Sequence, residues 1–170
     1  MEPRRYSAQD DAFVLIITNI VLMACVMVVF LKPLDPSPDQ HLRFSILFFF
    51  LPIQFLIWLL HPVYYSISDN TINIKRPLAT LQIPFENILE VRTIEWREMG
   101  LTYRLMASGG LFGYLGIYSS SVFGRVILWC TNRDHLVMIT CKDKIIVISP
   151  SEPLAFVMEY NSNSRYNSAQ

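Results

Sequence analysis

Net charge is the first thing this sequence lacks. Its 14 Lys and Arg are balanced by 14 Asp and Glu, so the positive field that gathers phosphates around a nucleic-acid binder is missing, and no nucleic-acid partner is expected. Cysteine is scarce as well. Cys25, Cys130 and Cys141 form no C-x-x-C pair, and scattered thiols in odd number read as free and reduced. Together with His41, His61 and His135 they are too few and too dispersed for a structural zinc site, so no metal is expected. The one glycine cluster, Gly109, Gly110, Gly113 and Gly116, has neither G-x-G-x-x-G nor Walker spacing. No nucleotide or other cofactor is expected, and these glycines are assigned to backbone geometry. Ser119-Ser120-Ser121 lacks a G-x-S-x-G elbow, and Glu86, Glu90, Glu95 and Glu98 read as solvated faces. No catalytic residue is assigned and no enzyme activity is expected.

Charge is also missing locally, and here the absence is informative. Residues 12–31 carry none, and about 20 apolar residues are what a helix needs to cross roughly 30 Å of hydrocarbon. A secretory signal would be shorter and end at a small-residue cleavage site. Leu22-Met23-Ala24-Cys25 loosely resembles a lipoprotein box, but the apolar run continues past Cys25. The second run, 44–60, extends back through Leu42 if Arg43 snorkels to the interface, and it contains Pro52, which is expected to kink a membrane helix. Trp58, Tyr64 and Tyr65 mark its exit from the bilayer. The segment between the runs, 32–41, holds Pro33, Pro36 and Pro38 and allows only a tight reversal, which makes the helices antiparallel neighbours. Arg4, Arg5, Lys75 and Arg76 flank one side and Lys32 and Arg43 the other, so both termini are expected in the cytoplasm of a multi-pass inner-membrane protein.

Beyond His61 the pattern changes to period-two alternation, as in Thr71-Ile72-Asn73-Ile74-Lys75, which reads as sheet. A hairpin turning at Asp69-Asn70 joins strands 63–68 and 71–75. Further strands are expected at 80–83, 88–95, 103–106, 114–119, 125–131, 136–141 and 144–149. The strands 125–131 and 136–141 are apolar on both faces and read as central, joined as a hairpin by Asn132-Arg133-Asp134 that sets Cys130 opposite Val137. A closing helix of about ten residues starts after Ser149, capped by Ser149 with Glu152 or by Ser151 with Pro153 in the first turn, and presents Leu154, Val157 and Met158 on one face. The expected organisation is an N-terminal tail (1–11), a transmembrane hairpin (12–60, with spans 12–31 and 42–60), a soluble domain (61–160) and a polar disordered tail (161–170).

Two helices, seven or more antiparallel strands and a terminal helix form an order that resembles the bacterial PH-like domains, in particular the membrane-tethered kind with two helices ahead of the barrel. The resemblance is carried by Tyr65-Ser66-Ile67, by Ile72 to Pro77, by Ile83-Pro84-Phe85-Glu86-Asn87-Ile88, by Arg104, by the glycine stretch from Gly109 to Gly116 and by Ile148-Ser149-Pro150. It implies an α+β fold: a helix hairpin followed by a mostly β PH-like barrel or sandwich with a C-terminal helix. It also implies self-association or a protein partner, beside the bilayer itself. Lys75, Arg76 and Arg104 are candidates for contact with the membrane surface, within a set that includes Arg92 and Arg97. Basic residues do not crowd the first hairpin, so no specific phosphoinositide recognition is expected. The functional expectation is a non-enzymatic binding or assembly module. Its rival is a membrane enzyme or transport-accessory subunit with a site between domain and hairpin.

Overall fold

The computed structural model describes residues 4–30, 40–68 and 70–168; the side chains of 28–30, 40–47 and 165–168 lie outside the description. Strand β1 (Arg5–Ser7) comes first, then helices α1 (Ala12–Phe30) and α2 (Gln40–Leu60). A run of strands follows: β2 (Tyr64–Ser68), β3 (Thr71–Lys75), β4 (Thr80–Pro84), β5 (Ile88–Ile94), β6 (Thr102–Gly109), β7 (Tyr114–Ser120), β8 (Gly124–Cys130), β9 (Leu136–Cys141) and β10 (Ile145–Ile148). Helix α3 (Pro153–Ser168) closes the chain. Most of the expected reversal, 32–39, and the turn residue Asp69 fall outside the described residues.

The strands form two sheets, ordered β1-β2-β3-β4 and β5-β9-β10-β8-β7-β6. Alternation in the first sheet sends Ile72 and Ile74 inward beside Tyr65 and Ile67, where they meet Val137, Ile139, Ile146 and Ile148 of the second sheet. The other face of the second sheet is apolar too. Tyr114, Tyr118, Val126, Leu128, Met138 and Val147 build a second core there, roofed by Met99, Ile94 and Val14 of α1. Burial on both faces confirms that β8 and β9 are central, but they are not a hairpin. Strand β10 lies between them, parallel to β8 and antiparallel to β9. Its sequence, Ile-Ile-Val-Ile, is apolar throughout and so takes the most enclosed position. The expected pairing of Cys130 with Val137 is therefore replaced by Cys130 facing Tyr114 and Val137 facing Ile148.

The segment ahead of α1 is not a loose tail. Strand β1 pairs with β2, Tyr6 is buried, Ser151 N–H donates to Ser7 O at 3.0 Å, and Thr131 Oγ1 donates to Gln9 O at 2.8 Å. Residues 5–11 thus clasp both sheets before the chain enters the helix. Three residues gave too short a pattern to read as a strand.

Helix α3 also departs from expectation. It continues through Asn161 to Ser168, where a disordered tail was expected, and it buries Phe156 and Tyr160 while Leu154 and Met158 stay exposed. Ring pairing selects that face: Phe156 meets Tyr6 edge-on at 5.2 Å, and Tyr160 meets Phe85 at 5.0 Å. Pro153 occupies the first turn as expected, but Ser149 does not cap the helix. Its Oγ accepts Thr131 N–H at 2.8 Å.

Helices α1 and α2 run antiparallel. Thr18 and His61 both bond Phe112, and seven residues further along α1 and back along α2, Gln54 Nε2 donates to Cys25 Sγ at 3.2 Å. Helix α2 continues unbroken through Pro52. Among the described residues, no helix is long and apolar enough to cross a membrane. The expected spans 12–31 and 42–60 extend beyond the side chains described.

Candidate functional site

The seam between the helices and the sandwich is built on the glycine stretch. Gly110 and Gly113 have φ of 108° and 124°, and Phe112, at 55°, also takes a left-handed conformation. This turn projects backbone into the helix pair: Phe112 N–H donates to Thr18 Oγ1 at 3.0 Å, and His61 Nδ1 lies 2.7 Å from Phe112 O. A Cβ on Gly110 would stand 2.9 Å from the Phe13 ring, and one on Gly113 would stand 2.7 Å from Cys130 O. These glycines therefore serve close packing as well as turn geometry. Asp11 begins α1 by accepting Val14 N–H at 2.7 Å and binds the domain by accepting the Tyr114 hydroxyl at 3.2 Å. Burial raises the Asp10 carboxyl pKa, while His61 opposes that shift.

Beside this seam is a pocket of about 410 Å³ lined by Trp96, Thr102, Tyr103, Arg104, Gly109, Tyr114, Tyr118 and Arg133. Its two cations come from different elements. Arg133, in the β8–β9 connection, lies 4.3 Å from the Tyr114 ring centre, 4.9 Å from that of Trp96 and 5.2 Å from that of Phe13. Arg104 comes from β6, where a register shift between Arg104 and Met106 inserts one residue. The shift sets Arg104 on the same face as Ala107 and Gly109, opposite Tyr118, Gly116 and Tyr114. With no side chain at Gly109, the guanidinium folds back onto the strand: a Cβ there would lie 2.4 Å from Arg104 Cζ. Burial pushes the Tyr118 hydroxyl up to about 12, against the pull of both arginines.

Of the residues expected at a membrane surface, Arg104 is in this pocket and Lys75 and Arg76 are elsewhere. Lys75 ends β3 and Arg76 follows it, next to the exit of α2, where Leu78 N–H donates to Leu59 O at 3.2 Å. Arg76 lies 4.6 Å above the Trp129 ring and donates to Ala79 O; burial lowers its pKa. Arg92 pairs with Glu98 at 2.9 Å, and Glu98 also closes a capping box with Glu95, so these acids do more than face solvent. Arg133 was missed by sequence reasoning because it was assigned to a turn. The aromatic residues that hold it are distant in sequence.

The profile described as bacterial PH domain matches residues 63–164, more than half of the chain. The chain belongs to that family. Neither a curated protein nor a solved structure matches it. The PH domain match begins after α2, so β1, the helix pair and the Asp11 cap lie outside the matched part. The residues that line the pocket all lie in the matched part, and of these Phe13 from the unmatched part meets the Arg133 guanidinium.

Proposed function

We propose that the chain is an integral membrane protein whose α1–α2 hairpin crosses the bilayer and whose PH domain is a non-enzymatic binding or assembly module on the cytoplasmic face of the inner membrane. The observation that carries this reading is the outer surface of the helices. Phe13, Leu15, Ile16, Ile20, Met23 and Met27 on α1, and Phe48, Phe49, Phe50, Ile53, Phe55 and Leu56 on α2, are exposed, far beyond the apolar patch that a water-facing surface sustains. The 19 residues of α1 include no charged side chain. Pairing of β1 with β2 puts the segment before α1 and the domain after α2 on one side, as a two-span topology demands. Arg4, Arg5, Lys75 and Arg76 lie on that side, which favours the cytoplasm.

The assembly part of the reading is supported by β6. It is an edge strand, and Tyr103, Leu105 and Met106 on it are exposed beside Leu101 and Val122. Alkaline carbonate extraction of membranes containing the full chain tests the anchoring. Retention in the pellet is expected, and release into the supernatant would contradict it. Crosslinking of the full chain at low expression tests assembly, and a monomer would contradict that part alone.

A further inference from the structure

We propose that the pocket between Arg104 and Arg133 binds a phosphate-bearing anion, either the phosphate of a lipid headgroup or a free phosphate compound. Both guanidinium groups act on Tyr118 and both line the same cavity, so their charges converge. Neither makes an ion pair among the described residues, whereas Arg4, Arg92 and Lys144 do. Asp11 accepts the hydroxyl of the lining residue Tyr114, and its other oxygen is engaged by Val14 N–H. The Tyr118 hydroxyl donates to Ser108 O at 2.5 Å, so the donors left for a ligand are chiefly the guanidinium N–H groups.

Two planar forks facing one cavity suit a tetrahedral group, because a single fork already satisfies a planar carboxylate. Arg133 is held against three rings, so its guanidinium has less freedom left to lose on binding, while Arg104 is exposed and lies along β6 over Gly109. The cavity exceeds the size of a bare phosphate and leaves room, against Trp96 and Tyr103, for the group that the phosphate is esterified to. This inference rests on the reading of the domain as a binding module and does not depend on the helices crossing a bilayer.

The test is calorimetric titration of the full chain in uncharged detergent micelles with inorganic phosphate and, separately, with dihexanoyl phosphatidate; dihexanoylglycerol is the neutral control. Saturable binding of phosphatidate alone assigns the site to a lipid headgroup, and binding of both assigns it to phosphate itself. Arg104→Gln and Arg133→Lys, which keeps the charge but loses the fork, should each weaken binding about tenfold or more, with Lys75→Gln unchanged within about twofold. Gly109→Ala, at a position without left-handed φ, should weaken it by displacing Arg104. If Arg133→Lys fails to fold, Arg104→Gln and Gly109→Ala decide the matter. No saturable binding of either anion, or equal weakening by Lys75→Gln, would overturn the site. Carbonate extraction reads the membrane reading independently.

Discussion

Phe112 N–H donates to Thr18 Oγ1 across 3.0 Å, so a loop of the sandwich is bonded to the second turn of α1. Replacing Thr18 by Val keeps the shape and removes the acceptor, and the loss should be about 1 kcal/mol. Amide exchange should quicken at Phe112 and its neighbours while β8, β9 and β10 keep their protection. Unchanged exchange at Phe112 would mean that the bond does not hold the seam.

The clasp before α1 makes a second prediction. Tyr6 is 1 % exposed and packs on Phe156, so Tyr6→Ala should cost about 3–5 kcal/mol, in the range of other large aromatic deletions. Tyr6→Phe removes only the 2.5 Å hydrogen bond to Glu159 and should cost about 1 kcal/mol. Thermal denaturation of both variants checks the ranking. Equal midpoints would show that the clasp is dispensable.

Ser149 supplies a third. Its Oγ accepts Thr131 N–H in a buried site, and Ser149→Ala would leave that donor unpaired at a cost of about 1–3 kcal/mol. Ser149→Thr, which retains an oxygen, should recover part of the loss in a denaturant titration.

The central strands were legible because apolar residues on both faces of 125–131 and 136–141 admit no edge position. Their pairing was not. A connection through Asn132-Arg133-Asp134 fits a hairpin equally well, and only the insertion of β10 excludes it. The helix face carrying Phe156 and Tyr160 was hidden for a similar reason: rings from β1 and the 85–87 turn select it, and nothing local to the helix does. In the pocket, Arg104 was visible as a cation in a strand, but its bulge and its approach to Gly109 depend on register with β7.

Alkaline pH gives a fourth prediction. Burial raises the hydroxyl pKa of Tyr6, Tyr65, Tyr114, Tyr118 and Tyr160, with Tyr118 pushed up to about 12. An acid whose folded pKa lies above its unfolded value near 10 keeps its proton longer in the folded state. Its stabilisation is complete below about pH 10 and is lost as pH rises toward the folded pKa. Absorbance at tyrosinate wavelengths should therefore show these residues titrating late and together with unfolding. Reversible titration near pH 10 without unfolding would contradict their burial.

The most direct test of the account is side-specific labelling of the full chain in intact bacterial cells. Ser37→Cys in the segment between α1 and α2 and Ser162→Cys on α3 would be treated with a membrane-impermeant maleimide, with Cys25, Cys130 and Cys141 replaced by Ser. A hairpin that crosses the bilayer with β1 and the PH domain together inside predicts labelling of position 37 in intact cells and of position 162 only after lysis. Protection of both positions until lysis, or labelling of position 162 in intact cells, would contradict it.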